Sequence, residues 1–433
     1  MAQGSGPPSS WIAPNRLYVT YRAASATSAV RSIESVARVA RSIDAGVDGG
    51  LAHRVLTLAP GSDDAAVTAS LRSAAGVVDV QPVHLRVPLG DAFANDPLLD
   101  NVNQWYLYRT NVDPGAWQLT HGRASVSVAV IDTGVDETNT DFVFDFRESV
   151  VGGVRNVGAG SVQDTNGHGT SVAGLATAAA NNSYGFAGVG YATHLQAYRV
   201  FPPATAVSDC QTADGGDEAV AIRDAVANGA SVINLSLGSP QSKGVDAAER
   251  DAVAFAIAQG VVVVAAAGNA FPGTDGNVPE FPAGYPGVIA VGASAVQDAT
   301  PNVYASIVAE TVASYSNSGP TLVAPGGDAT ASDTDELHWI ESYSTTTAAF
   351  AGDRCSNSGG VCRVLFTGTS QAAPQVAGTV ALMEAFHGGP RSISPANALL
   401  ILTQNADPLT GVSSTRQGAG RLNAGRAVAA AHP

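Results

Sequence analysis

Apolar and polar positions along the chain fall into two regimes. Over residues 16–88 they describe a small α+β unit. "RLYVTYR" and "HRVLTLA" alternate with a period of two, as half-buried strands do. Val30, Ile33, Val36, Ala37, Ala40 and Ile43 recur at helical spacing, and Ser62 to Ala75 reads as a second helix ended by Gly76. "VVDVQPVHLRV" closes the unit as extended chain, in an order like a split βαβ unit of ferredoxin-like type, of which three of the four strands are evident. "PLGDAFANDP" follows as an exposed linker. From about Asn103 the pattern changes. "VSVAVID", "HLQAYRV", "ASVINLSLG", "GVVVVAAAGN" and "GVIAVGA" read as strands without polar alternation, as in a parallel sheet covered on both faces. "DEAVAIRDAVANG" and "AAERDAVAFAIAQG" are helices between them, each closed by a glycine. The expectation is an α/β fold, a doubly wound and mainly parallel sheet, with the small unit ahead of it. The boundaries expected are 1–12 as a leader or trimmed end, 13–88, a linker over 89–94, and 95–433.

Composition narrows the function classes. The chain has 433 residues, 45% hydrophobic and 14% charged, which suits a sizeable core. Its net charge is -15 and Lys243 is its only lysine, a balance that argues against nucleic-acid binding, which needs a concentrated basic surface. No apolar run approaches the ~18 residues that span a bilayer, and "MAQGSGPPSS" has no apolar core of a signal peptide. Cys355 and Cys362 enclose "CSNSGGVC" and are a disulfide candidate in an oxidising compartment, with Cys210 left over. No histidine stands at zinc-ligand spacing from them.

Candidate chemistry gathers where this architecture puts it, at strand ends and helix starts. In "FTGTSQAAPQVAGTVALM", Ser370 opens a helix with Pro374 early in it. It is either an N-cap or a nucleophile beside unpartnered N–H groups. Asp132 ends the strand "VSVAVID", as an Asx-turn or capping acid or as the orienter of a base. His168 lies between glycines in "TNGHGTSVAG", a packed ring or a general base. Asn269 follows "VVVVAAAG", a turn residue or an amide donor. Each has an ordinary structural role when taken alone. Together they supply every part that acyl transfer by a serine requires.

Those segments, with "INLSLG", "YSNSGP" and "LVAPGG", resemble the subtilases, the subtilisin-like serine peptidases, over roughly residues 95–430. The order Asp132, His168, Ser370 is the subtilisin order. The resemblance implies a serine endopeptidase, with Ser370 as nucleophile, His168 as base and then acid, and Asp132 as orienter. It implies an oxyanion hole from Asn269 and the Ser370 N–H. Ser236, Leu237 and Gly238, with Ala267 and Gly268, would bind an extended protein or peptide substrate. Glu280 aligns near the base of the primary specificity pocket, so the preference before the scissile bond is either basic or broadly apolar. The set implied for structural Ca²⁺ is Asp96, Asp141, the Asn182 side chain and the carbonyls of Ala180, Tyr184 and Phe186, and no organic cofactor is expected. The N-terminal unit resembles the inhibitory and chaperoning propeptide of these enzymes. A secreted, monomeric, self-processing zymogen is therefore expected. Its P1 preference would mark the propeptide cut, after Arg86 if basic or Leu89 if apolar.

Three departures from the family pattern stand out: Ser171 where His is common, Gln371 where Met is common, and extra chain between Gly326 and Gly368. Two other function classes fail on the residues. An inactive binding module would have a broken triad. A lipase or esterase would show G-x-S-x-G and the order Ser, acid, His, which "GTSQA" does not fit.

Overall fold

The computed structural model describes residues 12–25, 39–59, 62–84, 94–100, 103–204, 211–296, 310–328, 339–346 and 361–432, and divides into two units, Met1–Gly90 and Asp91–Pro433. In the first, β1 (Ile12–Arg22), β2 (Val39–Asp48), β3 (Leu51–Leu58) and β4 (Val77–His84) form one antiparallel sheet in the order β2-β3-β1-β4. Helix α1 (Asp64–Arg72) is capped by Asp63, whose carboxylate accepts from Ala65 N and Ala66 N. Leu17, Val19, Leu56, Leu71 and Val80 are buried in the core of this unit.

One expectation here is corrected. Ala40 and Ile43, assigned by spacing to a helix, lie in the edge strand β2, and the earlier positions of that pattern fall outside the described residues. The reason is the turn that follows. Gly49 and Gly50, at φ +50° and +80°, form a two-residue reversal that pairs Asp48 with Leu51, so the preceding segment extends against β3. At the edge, Ile43 is 43% and Val47 65% exposed, so their apolarity carried no information about a buried face.

The second unit is built on a nine-stranded sheet, and the short helix α2 (Trp105–Arg109) leads into it. The strands are β5 (Ser127–Asp132), β6 (Phe144–Val151), β7 (Val154–Val157), β8 (His194–Arg199), β9 (Val232–Leu235), β10 (Val262–Ala266), β11 (Ile289–Val296), β12 (Glu310–Val312) and β13 (Leu322–Pro325). Their order is β12-β11-β10-β9-β5-β8-β6-β7, with β13 beside β11. Among the described strand pairs of this sheet, only β6–β7 and β11–β12 are antiparallel.

Helices cover both faces, which is why these strands lack polar alternation. Along β5, Val128 and Val130 belong to the core under α3 (His168–Thr177) and α6 (Thr369–His387). Ala129 and Ile131 belong to the core under α4 (Gly215–Ala227) and α5 (Ala247–Ala258). Every residue of β5 is buried, so this strand holds helical layers on two sides. No helix among the described residues is long and apolar enough to cross a membrane.

The extra chain between Gly326 and Gly368 contributes an antiparallel hairpin, β14 (Ile340–Tyr343) with β15 (Arg363–Phe366). Ser342 Oγ donates to the Ser171 carbonyl at 2.9 Å, which docks β14 on α3. Cys362, next to β15, is disulfide-bonded; Cys355 and Cys210 lie outside the described residues.

Candidate active site

Strand β5 ends in Asp132 and helix α3 begins at His168, after Gly167 at φ +100°. Asp132 Oδ1 lies 2.7 Å from His168 Nδ1 and also accepts the Thr133 N–H at 2.7 Å. The imidazole is about a quarter exposed (26%) while the carboxylate is sealed at 1%. Burial disfavours the charged ring, but the Asp132 charge and hydrogen bond, joined by the Asp164 charge, outweigh it and hold the His168 pKa above its ordinary value.

Ser370 is the second residue of α6, so its N–H is among the first-turn donors that have no intrahelical partner. Its Oγ donates to the Ser236 carbonyl at 3.1 Å instead of to His168. Ser236 Oγ in turn donates to the Ser370 carbonyl at 2.9 Å, so strand end and helix start are tied in both directions. Catalytic hydrogen bonds in a substrate-free site are often long or misaligned and tighten when substrate binds.

Asn269, exposed after β10, has its amide orientation fixed by a neighbour. Its Oδ1 accepts both the Thr369 N–H at 3.0 Å and the Thr369 hydroxyl at 2.9 Å. With the oxygen held, Nδ2 has no hydrogen-bond partner among the described residues. Thr369, fully buried, also takes the Gly268 N–H on its Oγ1 at 3.2 Å. Nothing in the sequence marked Thr369, because a buried threonine in a helix's first turn has no distinctive pattern.

Leu237 and Gly238 continue past β9, and no hydrogen bond among the described residues uses their backbone groups. That leaves an open edge for an added strand. Beside it, Ala267 accepts the Glu280 N–H at 2.9 Å, and Ser239 and Phe281 exchange a pair of backbone bonds at 2.8 and 3.0 Å. A Cβ on Gly268 would come within 2.7 Å of Glu280 Cδ and 2.5 Å of Asn317 Nδ2, and one on Gly238 within 3.2 Å of Glu280 Oε2. Glu280 thus stands between the two segments, half-buried. Burial, with the nearby Asp275 charge, pushes its carboxyl above the usual range, against an Asn317 hydrogen bond. No Arg or Lys pairs with it among the described residues. A cavity of about 280 Å³ is lined by His168, Phe201, Gln211, Ser236, Leu237 and others. Phe201 and Gln211 were not foreseen, since a residue beyond a strand end has no periodicity to place it.

The six residues of the calcium set also come together. Asp96, 4% exposed, accepts from Asn181 N at 2.7 Å and Asn182 N at 3.2 Å. Asp141, fully buried, accepts from Asn182 Nδ2 at 2.5 Å and from the Tyr343 hydroxyl. Burial, with Asp96 close by, pushes Asp141 up to about 7 despite those bonds. Neither carboxylate has a cationic partner among the described residues, and no hydrogen bond ends on the carbonyls of Ala180, Tyr184 or Phe186. Among the described residues no group of three or more His, Cys, Asp or Glu side chains is placed to hold a metal.

Known proteins place the chain. The subtilase family matches residues 123–420. The chain is 32% identical to Thermitase of Thermoactinomyces vulgaris over 320 residues, covering 73% of this chain and 92% of that protein. It is also 32% identical to an extracellular protease of Xanthomonas campestris over 362 residues, 76% of this chain and 56% of the other. Among solved structures, a protease of Pseudoalteromonas arctica aligns with a TM-score of 0.60 at 26% identity, over 78% of this chain and 99% of its own. With a family match over most of the chain and relatives of this extent, the protein belongs to the subtilases, the subtilisin-like serine endopeptidases.

Proposed function

We propose that this enzyme cleaves extended polypeptides by acyl transfer through Ser370, with His168 as general base and acid and Asp132 as its orienter. The observation that carries this reading is the 2.7 Å contact of Asp132 Oδ1 with His168 Nδ1. It fixes the proton on Nδ1 and leaves Nε2 as the acceptor that a serine hydroxyl needs. Ser370 Oγ attacks the scissile carbonyl as its proton passes to Nε2. The carbonyl oxygen, now negative, is met by Asn269 Nδ2 and the Ser370 N–H. The imidazolium then gives its proton to the leaving amine, and water repeats the sequence on the ester. Substrate backbone pairs with the open groups of Leu237 and Gly238 by β-addition.

The residue before the scissile bond is proposed to be Arg or Lys. A half-buried carboxylate without a cation, set between Gly238 and Gly268, favours a positive side chain that completes the pair. Glu280→Gln is expected to lower kcat/KM on peptides with Arg or Lys there on the order of 10- to 100-fold, and to leave apolar peptides nearly unaffected. Equal losses on both peptide classes would argue that Glu280 is structural.

The N-terminal unit is proposed to be an intramolecular inhibitor removed by the enzyme itself, and the protein to be secreted and monomeric. Support comes from its standing as a compact unit of its own and from the disulfide at Cys362, a bond of oxidising compartments. Intact-mass analysis of purified protein tests it: a break within residues 86–95 is expected.

Calcium is proposed to bind Asp96, Asp141, Asn182 and the carbonyls of Ala180, Tyr184 and Phe186. It would supply the charge that these buried acids lack and hold the 180–186 loop to the segment around Asp96. Asn182 donates Nδ2 to Asp141 and accepts the Tyr184 N–H at 2.9 Å on Oδ1, whose second lone pair is what it would offer the ion. Chelation is expected to lower the unfolding midpoint by roughly 10 °C, from about 4 kcal/mol of linked binding at saturating ion. A midpoint unmoved by chelator, and by Asp141→Asn in calcium, would remove the ion from the account.

A further inference from the structure

Asp132 and His168 come from different elements, and the carboxylate of Asp132 joins them through a single hydrogen bond. Its Oδ2 is buried without a partner, and its Oδ1 serves the imidazole and one local N–H. A second carboxylate, Asp164, makes the connection. It is fully buried in the loop before α3. Its Oδ1 accepts from Thr133 Oγ1 at 3.1 Å and Asn166 N at 2.8 Å. Its Oδ2 accepts from Thr170 N at 3.0 Å and Thr170 Oγ1 at 2.6 Å.

Each of those donors adjoins the catalytic pair. Thr133 follows Asp132, and its Oγ1 also takes the Gly169 N–H at 2.9 Å. Asn166 Oδ1 takes the His168 N–H at 3.2 Å, and Thr170 Oγ1 takes the Asp136 N–H at 3.0 Å. The strand end and the first helical turn therefore converge on one group. The Thr345 hydroxyl, just past β14, holds the Asp164 carbonyl at 2.9 Å from the other side.

We propose that Asp164 is a positioning residue of this active site: the common acceptor that holds the Asp132 end of β5 against the first turn of α3, and a second negative charge behind His168. The inference rests on the assignment of Asp132 and His168 given above. The charged groups around this node are Asp132, His168 and Asp136, with Glu137 and Arg199 beyond them. Arg199 feels both Asp164 and Glu137, and donates Nη1 to the Gln163 carbonyl at 3.2 Å. The Asp164 charge therefore adds to that of Asp132 in favouring the imidazolium.

Asp164→Asn separates this role from general stability. Either orientation of the new amide sets an NH₂ group against a backbone N–H, Asn166 on one side or Thr170 on the other, and neither can accept. In the full chain, assayed on a small peptide ester with active sites titrated, kcat is expected to fall on the order of 10- to 100-fold, the scale of a misplaced base. KM should stay within about twofold, because the donors that bind substrate lie elsewhere. The acid limb of kcat/KM should move to lower pH, since a neutral amide no longer favours the charged ring.

Thr133→Val is the second variant, losing the bond to Asp164 and the one from the Gly169 N–H while keeping the charge. It should lower kcat less, leave the acid limb in place, and combine non-additively with Asp164→Asn. Wild-type kcat, an unmoved acid limb, or a loss confined to KM in Asp164→Asn overturns the proposal. If that variant yields no folded protein, Thr133→Val decides: reduced kcat at constant KM supports the proposal, and wild-type kcat ends it. His168→Ala distinguishes the two levels. An active His168→Ala enzyme overturns the triad assignment itself, whereas an inactive one beside an unaffected Asp164→Asn overturns only the positioning role.

Discussion

Ser370→Ala is expected to leave the chain uncut between residues 86 and 95 and to lower kcat on the order of 10⁶-fold, the magnitude known for loss of the nucleophile in subtilisin, a relative of this chain. The physical reason for so large a loss is that no other group can form the ester. Without it, the base and the oxyanion donors act only on water, and their separate contributions do not add. The substitution is also structurally mild. Ser370 Oγ makes one hydrogen bond, to the Ser236 carbonyl, and loss of such a bond costs about 1 kcal/mol. The reciprocal bond, from Ser236 Oγ to the Ser370 carbonyl, survives. Unfolding midpoints of variant and wild type should therefore nearly coincide while activity disappears. Intact-mass analysis of both proteins, purified identically, is the check. A cut chain in both would mean that another protease removes the N-terminal unit.

Asn269→Ala is expected to lower kcat by about 10²- to 10³-fold with little change in KM, again a magnitude carried over from subtilisin. The argument from geometry concerns which interaction is lost. Asn269 Nδ2 is free in the resting site because Thr369 holds the amide oxygen with two donors. A donor that waits without a partner gains most when the substrate oxygen becomes an anion, so its loss falls on turnover and not on binding. Alanine also strands the Thr369 N–H and hydroxyl, at about 1–3 kcal/mol of stability. Asn269→Asp controls for that. It keeps the acceptor for Thr369 but presents an oxygen where the donor stood, so its kcat should fall at least as far. An Asn269→Asp enzyme with near-normal kcat would falsify the oxyanion assignment for Asn269.

Much of this molecule was legible in the chain. The mainly apolar runs at Ser127–Asp132, Val232–Leu235 and Val262–Ala266 read as strands covered on both faces, and they are. Where the faces were not equally buried, the reading failed. Ala40 and Ile43 lie on an exposed edge strand, and their spacing reported nothing about a core. The hairpin β14–β15 was equally unreadable, because strands of four residues are too short to show a period.

For the site, the sequence by itself determined which groups are available and the order in which they occur: Asp132, His168, Asn269 and Ser370, each beside a strand end or helix start. That much is local, because a strand that stops at an acid or a helix that starts at a serine is written in adjacent residues. Only the tertiary structure decided what holds them. Thr369 turns the Asn269 amide, Asp164 gathers Thr133, Asn166 and Thr170, Tyr343 reaches Asp141, and Glu280 comes between Gly238 and Gly268. These contacts join residues as much as two hundred positions apart, as the Tyr343–Asp141 bond does. Hydrogen bonds act over about 3 Å, and no spacing along a chain encodes which distant atoms the packed sheet and helices will bring that close.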